Sequence, residues 1–124
     1  MGHVESFKDL EVYKMARQLA KRIFELTKTF PMEERYSLTG QIRRSSRSIG
    51  GQIAEAWGKR RYINHFISKL TDADGEQLET QHWIEVSFDC EYIDANVRKE
   101  LNEKCYSIGK MLQKMIEKAD DFCK

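Results

Sequence analysis

Apolar residues recur at gaps of three and four along almost the whole chain, in four stripes separated by short polar breaks. The first stripe is Val12, Ala16, Leu19, Ile23, Leu26 and Phe30. The second is Leu38, Ile42, Ser45, Ile49, Ile53 and Ala56, with Trp57 beside it. In the third, Ile63, Phe66, Ile67 and Leu70 lead to Ile84, Phe88 and Tyr92. The fourth is Val97, Leu101, Cys105, Ile108, Leu112, Met115, Ala119 and Phe122. At 100° per residue such spacing puts each stripe on one helical face, and no period-two run offers a strand.

The breaks carry helix punctuation. Ser6 or Asp9 reads as the first N-cap, Pro31 as a stop, Gly58 as an end and Asp94 as the N-cap of the last helix. The spans expected are about 9–29, 33–57, 62–92 and 95–121, roughly 33–45 Å long at 1.5 Å per residue. Short connections make sequence neighbours antiparallel. The chain is therefore expected to be all-α, an antiparallel up-down-up-down four-helix bundle. Its 124 residues suit one domain over 1–124, without internal repeats. A kink in the second helix is expected at Gly50-Gly51, since two mid-helix glycines cost about 1 kcal/mol each.

Cys90, Cys105 and Cys123 are odd in number and lack CxxC spacing, and no signal peptide precedes them, so reduced thiols and a cytoplasmic protein are expected. No apolar run approaches the roughly 18 residues of a membrane helix. MGHVES fits the M-G-x-x-x-S myristoylation pattern, which is short enough to arise by chance.

Signals for catalysis are weak. Glu79 and His82 form a single E-x-x-H, whereas a bundle-type iron site needs two copies. Both side chains also point away from the stripe of Phe66, Leu70, Ile84 and Phe88, so they read as surface residues. DADGE at 72–76 has glycine fourth rather than sixth and Trp83 at the twelfth place, which is not a calcium loop. His3, His65 and His82 share no ligand spacing, and no P-loop or nucleophile elbow is present. Neither an enzyme nor a cofactor is expected. Between Leu70 and Ile84 the core-facing positions become Asp74, Gln77 and Gln81: either a buried polar layer, with an arginine of helix two the expected partner of Asp74, or the lining of a wet channel or interface edge.

A net charge of only +1 hides a strong segregation. Residues 31–61 hold seven Lys/Arg and three Asp/Glu, a net of +4; residues 62–94 hold one Lys and eight Asp/Glu, a net of −7. These helices can neutralise each other as neighbours, or one copy's positive face can meet the negative face of another. A head-to-tail contact of that kind closes into a ring when the rotation allows. The cations concentrate in QIRRSSRSIGGQIAEAWGKR, residues 41–60. On a helical wheel Arg43, Arg44 and Arg47 share the sector away from Ile42, Ile49 and Ile53, and Gly40, Gly51 and Gly58 join them. Lys59, Arg60 and Arg61 extend the basic region, while Lys14, Arg17, Lys21 and Lys28 lie opposite the core stripe of helix one. So placed, cations can neutralise phosphates without reading bases, or can simply form a solvated outer face.

FKDLEVYKMA, LTKTFPMEERYSLTGQIRRSSRSIGGQIAEAWGKR and FISKLTDADGEQLETQHW together resemble the proteins encoded in bacterial 23S rRNA intervening sequences, also labelled the S23 ribosomal protein family. The resemblance spans roughly residues 7–93 and rests on Gln41, Ile42, Arg43, Arg44, Ser48, Ile49, Ile53, Ala54 and Glu55. It implies a small antiparallel bundle assembling as a ring-shaped homopentamer. The chain departs from the commoner pattern at Gly50 (often Pro), Gln52 (Asn), Ala56 (Gly) and DADGEQ, as a subgroup would. Accessory variability determinants of diversity-generating retroelements, which bind nucleic acid, are distantly similar but more basic. The expectation is a non-enzymatic homo-oligomer that binds RNA or DNA through Arg43, Arg44, Arg47, Lys59, Arg60 and Arg61. The alternative is an interaction module whose basic face forms the subunit interface. Neither reading needs a membrane or a small-molecule substrate.

Overall fold

The computed structural model describes residues 4–123; Gly2 and His3, and with them the myristoylation pattern, lie outside the described residues. Four long helices form the body: α1 (Glu11–Thr27), α2 (Leu38–Gly58), α3 (Ile63–Asp89) and α4 (Ala95–Glu117), with a single turn α5 (Ala119–Phe122) at the end. No strand occurs among the described residues. Contacts along each helix pair run in opposite senses, which fixes the up-down-up-down order. Between α1 and α2, Thr27 meets Arg43 at one end and Tyr13 meets Gly50 further along. Between α2 and α3, Ser45 meets Thr80 and Gln52 meets Lys69. Glu85 meets Arg98 and Gln77 faces Gly109 across α3 and α4. Arg22 and Glu100 close the ring between α1 and α4 with a two-pronged bond at 2.8 and 3.0 Å.

The helix ends follow local chemistry. Ser6 caps the 3₁₀ turn Phe7–Asp9, accepting from the Lys8 N–H at 3.1 Å, while Asp9 accepts from the Ser6 N–H at 3.2 Å. Both expected caps therefore belong to this turn, and α1 begins at Glu11. After Pro31 a second 3₁₀ turn, Met32–Glu34, delays α2 until Leu38. Asp94 accepts from the Val97 N–H at 2.8 Å and starts α4. The last expected helix is divided at Lys118.

Helix α3 ends three residues earlier than the apolar pattern suggests. The Tyr92 N–H reaches the Ser87 carbonyl at 3.0 Å, and Glu91 takes the left-handed conformation between them, φ 61°. This is a Schellman-type ending at a position glycine usually fills. A side chain there costs roughly 1–2 kcal/mol, partly offset by the freedom glycine adds to the unfolded chain. Glu91→Gly should therefore raise the unfolding free energy in urea by about 0.5–1 kcal/mol. A loss of stability would contradict that reading of the turn.

The stripes of α1, α2 and α4 form the core as read, with Leu19, Ile49, Ile53, Ile108 and Leu112 fully buried. In α3 the polar layer lies differently from the expectation. The buried face is Phe66, Leu70, Ala73, Gln77, Thr80, Ile84 and Ser87, at alternating gaps of four and three. Of the polar positions read as core-facing only Gln77 is buried; Asp74 and Gln81 sit at the edge beside α4. No arginine of α2 reaches them. Instead the Gln77 amide donates to Asp74 at 2.9 Å and accepts from Gln81 at 2.7 Å. The small hydroxyls of Ser45 and Thr80 meet at 2.9 Å between α2 and α3. They satisfy each other where bulkier apolar side chains would hold the helices apart.

Candidate nucleic-acid interface

On the outer face of α1 and α2, Lys14 and Lys28 pair with Glu11 and Glu25 of α1, while several arginines and Lys21 have no carboxylate partner among the described residues. Arg43 and Arg47, one turn apart on α2, both reach over the Phe24 ring of α1, their guanidinium carbons 4.8 and 5.5 Å from its centroid. The Lys28 ammonium lies 4.9 Å from the same ring. Such contacts are electrostatically favourable and orient the cation without neutralising it. Arg43 is fixed further, its Nε donating to the Thr27 hydroxyl at 2.8 Å, which itself donates to the Ile23 carbonyl at 2.8 Å. Arg17, one turn before Lys21 on α1, reaches over Tyr13 at 6.0 Å. Among the described residues Arg17, Lys21, Arg43 and Arg47 form no ion pair.

Between the two helices runs an open groove of about 330 Å³. Ala16, Ala20, Gly50, Gly51 and Ala54 line it together with Arg17 and Arg47. Phe7 and Tyr13 also line it, packed edge to face with centroids 4.9 Å apart. Helix α2 passes through the glycine pair as unbroken α-helix. The fold itself leaves room for side chains there. A Cβ on Gly50 would rest 3.5 Å from Tyr13, an ordinary contact, and one on Gly51 would meet nothing within 4 Å. Gly51→Ala should therefore raise the unfolding free energy by about 1 kcal/mol, the usual mid-helix difference. An unchanged or reduced value in equilibrium unfolding would mean that the helix itself needs this glycine.

The six cations marked in the sequence do not form one patch. Arg44 stands 100° round the helix from Arg43 and faces α3 instead. It pairs with Glu79 and, at 3.4 Å, with Glu76. The Trp83 indole N–H at 3.0 Å, with Arg44, holds the Glu79 carboxyl below the usual carboxylate range. Glu79 in turn raises Arg44 above the ordinary guanidinium value. With 46% of the Arg44 side chain exposed, the pair is worth at most about 1 kcal/mol. Glu79 is thus engaged within the fold rather than a free surface group beside His82. At the far end of α2, Lys59 and Arg61 are exposed, and Arg60 folds back, its Nε donating to the Trp57 carbonyl at 2.8 Å. The partner residues Arg17 and Phe24 come from α1. Their signal in the sequence is the spacing of Arg17, Lys21, Phe24 and Lys28 along the face opposite the core.

With this geometry in place the likeness to known proteins becomes informative. The family model of the 23S rRNA-intervening sequence protein matches residues 8–114. The chain belongs to that family. The match continues into α4, beyond the span over which the sequence motifs were read. A crystal structure of a protein with unknown function from the S23 ribosomal protein family of Bacteroides thetaiotaomicron is similar to this intervening-sequence protein at a TM-score of 0.77. The two are 33% identical, over 86% of this chain and 95% of that one. No curated protein matches. No helix among the described residues is long and apolar enough to cross a membrane.

Proposed function

We infer that this 23S rRNA-intervening sequence protein is a non-enzymatic, homo-oligomeric bundle that binds the backbone of RNA or DNA along its α1–α2 face. The observation supporting this reading is a difference among its cations. Arg22, Arg44, Lys69 and Arg98 are matched to carboxylates within the fold. Arg17, Lys21, Arg43 and Arg47 share one outward face and are matched to none among the described residues. Guanidinium groups held over aromatic rings keep their full charge and their outward N–H groups, which suit phosphate oxygens. Contacts of this type position a nucleic acid without reading its sequence.

A second reading has its own support in Gly50 and Gly51, which the isolated fold does not require. Small residues along a groove let another helix come close, and the acidic α3 of a second copy is complementary to Arg17 and Arg47. On this reading the basic groove is the contact of a ring, the homopentamer that the family resemblance implies. The two readings are separated by reversing Arg17, Arg43 and Arg47 to Glu and measuring light scattering and RNA binding on the same protein. An intact oligomer with lost RNA binding supports the nucleic-acid face. Dissociation to monomers moves the groove to the subunit contact.

A further inference from the structure

The turn joining α2 to α3 reads WGKRRYINH over residues 57–65, and its side chains divide sharply by task. Trp57 and Ile63 pack against the core. Arg60 covers Trp57, its guanidinium carbon 3.6 Å from the ring centroid. Tyr62 does neither. It is 57% exposed, contributes nothing to the core cluster, and its hydroxyl has no hydrogen-bond partner among the described residues. Two polar groups lie near its ring. The Arg61 guanidinium carbon lies 5.8 Å from its centroid, and the His65 ring 5.4 Å away, tilted by 50°. Lys59 and Arg61, both exposed, add two positive charges without carboxylate partners among the described residues.

The turn follows directly on the C-terminal end of α2. Arg47, Gly51, Ala54 and Gly58 follow one another at helical gaps of four, three and four, so a single line of α2 leads from the basic groove to the turn. The distance from Arg47 to Lys59 is about 18 Å along the axis. A strand running along this line past the end of α2 reaches the turn, where the exposed ring has Arg61 beside it and Lys59 three residues before it. An aromatic face beside positive charge is the arrangement on which unpaired bases stack, whatever their identity. In a duplex the bases are already stacked on each other, and a surface ring such as Tyr62 has nothing to receive.

We propose that the α2–α3 turn is a stacking platform for single-stranded nucleic acid, an unpaired base resting on Tyr62 while Lys59 and Arg61 meet the neighbouring phosphates. It rests on the nucleic-acid reading of the α1–α2 face and narrows its ligand to single strands. The platform confers preference for strandedness, and the groove confers general attraction to phosphates.

The test uses the full-length protein and two fluorescently labelled RNAs of the same length, one unstructured single strand and one duplex, followed by anisotropy at fixed salt. The wild type should bind the single strand more tightly. Tyr62→Ala should weaken single-strand binding about tenfold and leave duplex binding unchanged. Tyr62→Trp, which keeps a stacking ring, should retain the preference, and the unchanged duplex binding of the alanine variant shows that its loss is not loss of folding. Unchanged single-strand affinity in Tyr62→Ala, or an equal loss on both RNAs, overturns the platform while leaving the phosphate-binding face standing. Failure of the wild type to bind either RNA overturns both.

Discussion

Reversing Arg17, Arg43 and Arg47 to Glu should lower RNA affinity by a factor between about one hundred and one thousand at 0.1 M salt. Each neutralised phosphate releases close to one condensed counterion, so log K changes by roughly 0.7 to 0.9 per contact for each decade of salt. At 0.1 M each contact is thus worth nearly a factor of ten, and three are lost together. Arg44→Glu is the informative control because it adds the same kind of charge change to the same helix. Its side chain faces Glu76 and Glu79 of α3. It should cost about 1 kcal/mol of stability and change RNA affinity by no more than two- to threefold. A loss of log K in Arg44→Glu about one third of that in the triple variant, in proportion to the charge changes of −2 and −6, would show that net charge, and not the α1–α2 face, governs binding.

Phe66→Ala should destabilise the bundle by about 3–5 kcal/mol, the range for emptying a buried aromatic site. Phe66 is fully buried in the first turn of α3 and stacks on Phe122 of α5, centroids 5.7 Å apart and planes 28° from parallel. Its loss removes both a core side chain and the ring that seats the terminal turn. A typical domain has only about 5–15 kcal/mol to lose, so the urea midpoint should fall steeply. A change below about 1 kcal/mol would mean that α5 and its neighbours collapse into the space and that the end of the bundle packs loosely.

The bundle was legible because α1, α2 and α4 carry their buried faces as large aliphatic residues at regular spacing. Helix α3 was legible at its start, overrun by three residues at its end and misread in its middle, the last for a physical reason. Ala73, Thr80 and Ser87 are fully buried but carry little hydrophobic signal. The eye then follows Asp74 and Gln81, which lie one residue away from the true stripe. Their partner could not be read either, because the edge they occupy faces α4, where Gly109 leaves room for the Gln77 amide. The cations show the same limit. A helical wheel places Arg43, Arg44 and Arg47 within 100°, yet it does not say that α1 flanks one side of that sector and α3 the other. The glycine pair, expected to kink α2, lies within a continuous helical span and lines a groove beside α1.

The proposed contact with nucleic-acid phosphates rests on Arg17, Arg43 and Arg47 of the α1–α2 face. Its most direct test is the salt dependence of RNA affinity in the wild type and in the variant with Arg17, Arg43 and Arg47 reversed, provided light scattering finds the same oligomer in both. The slope of log K against log salt should be about 2 to 3 units shallower in the variant. Equal slopes would place the phosphates elsewhere and contradict the account.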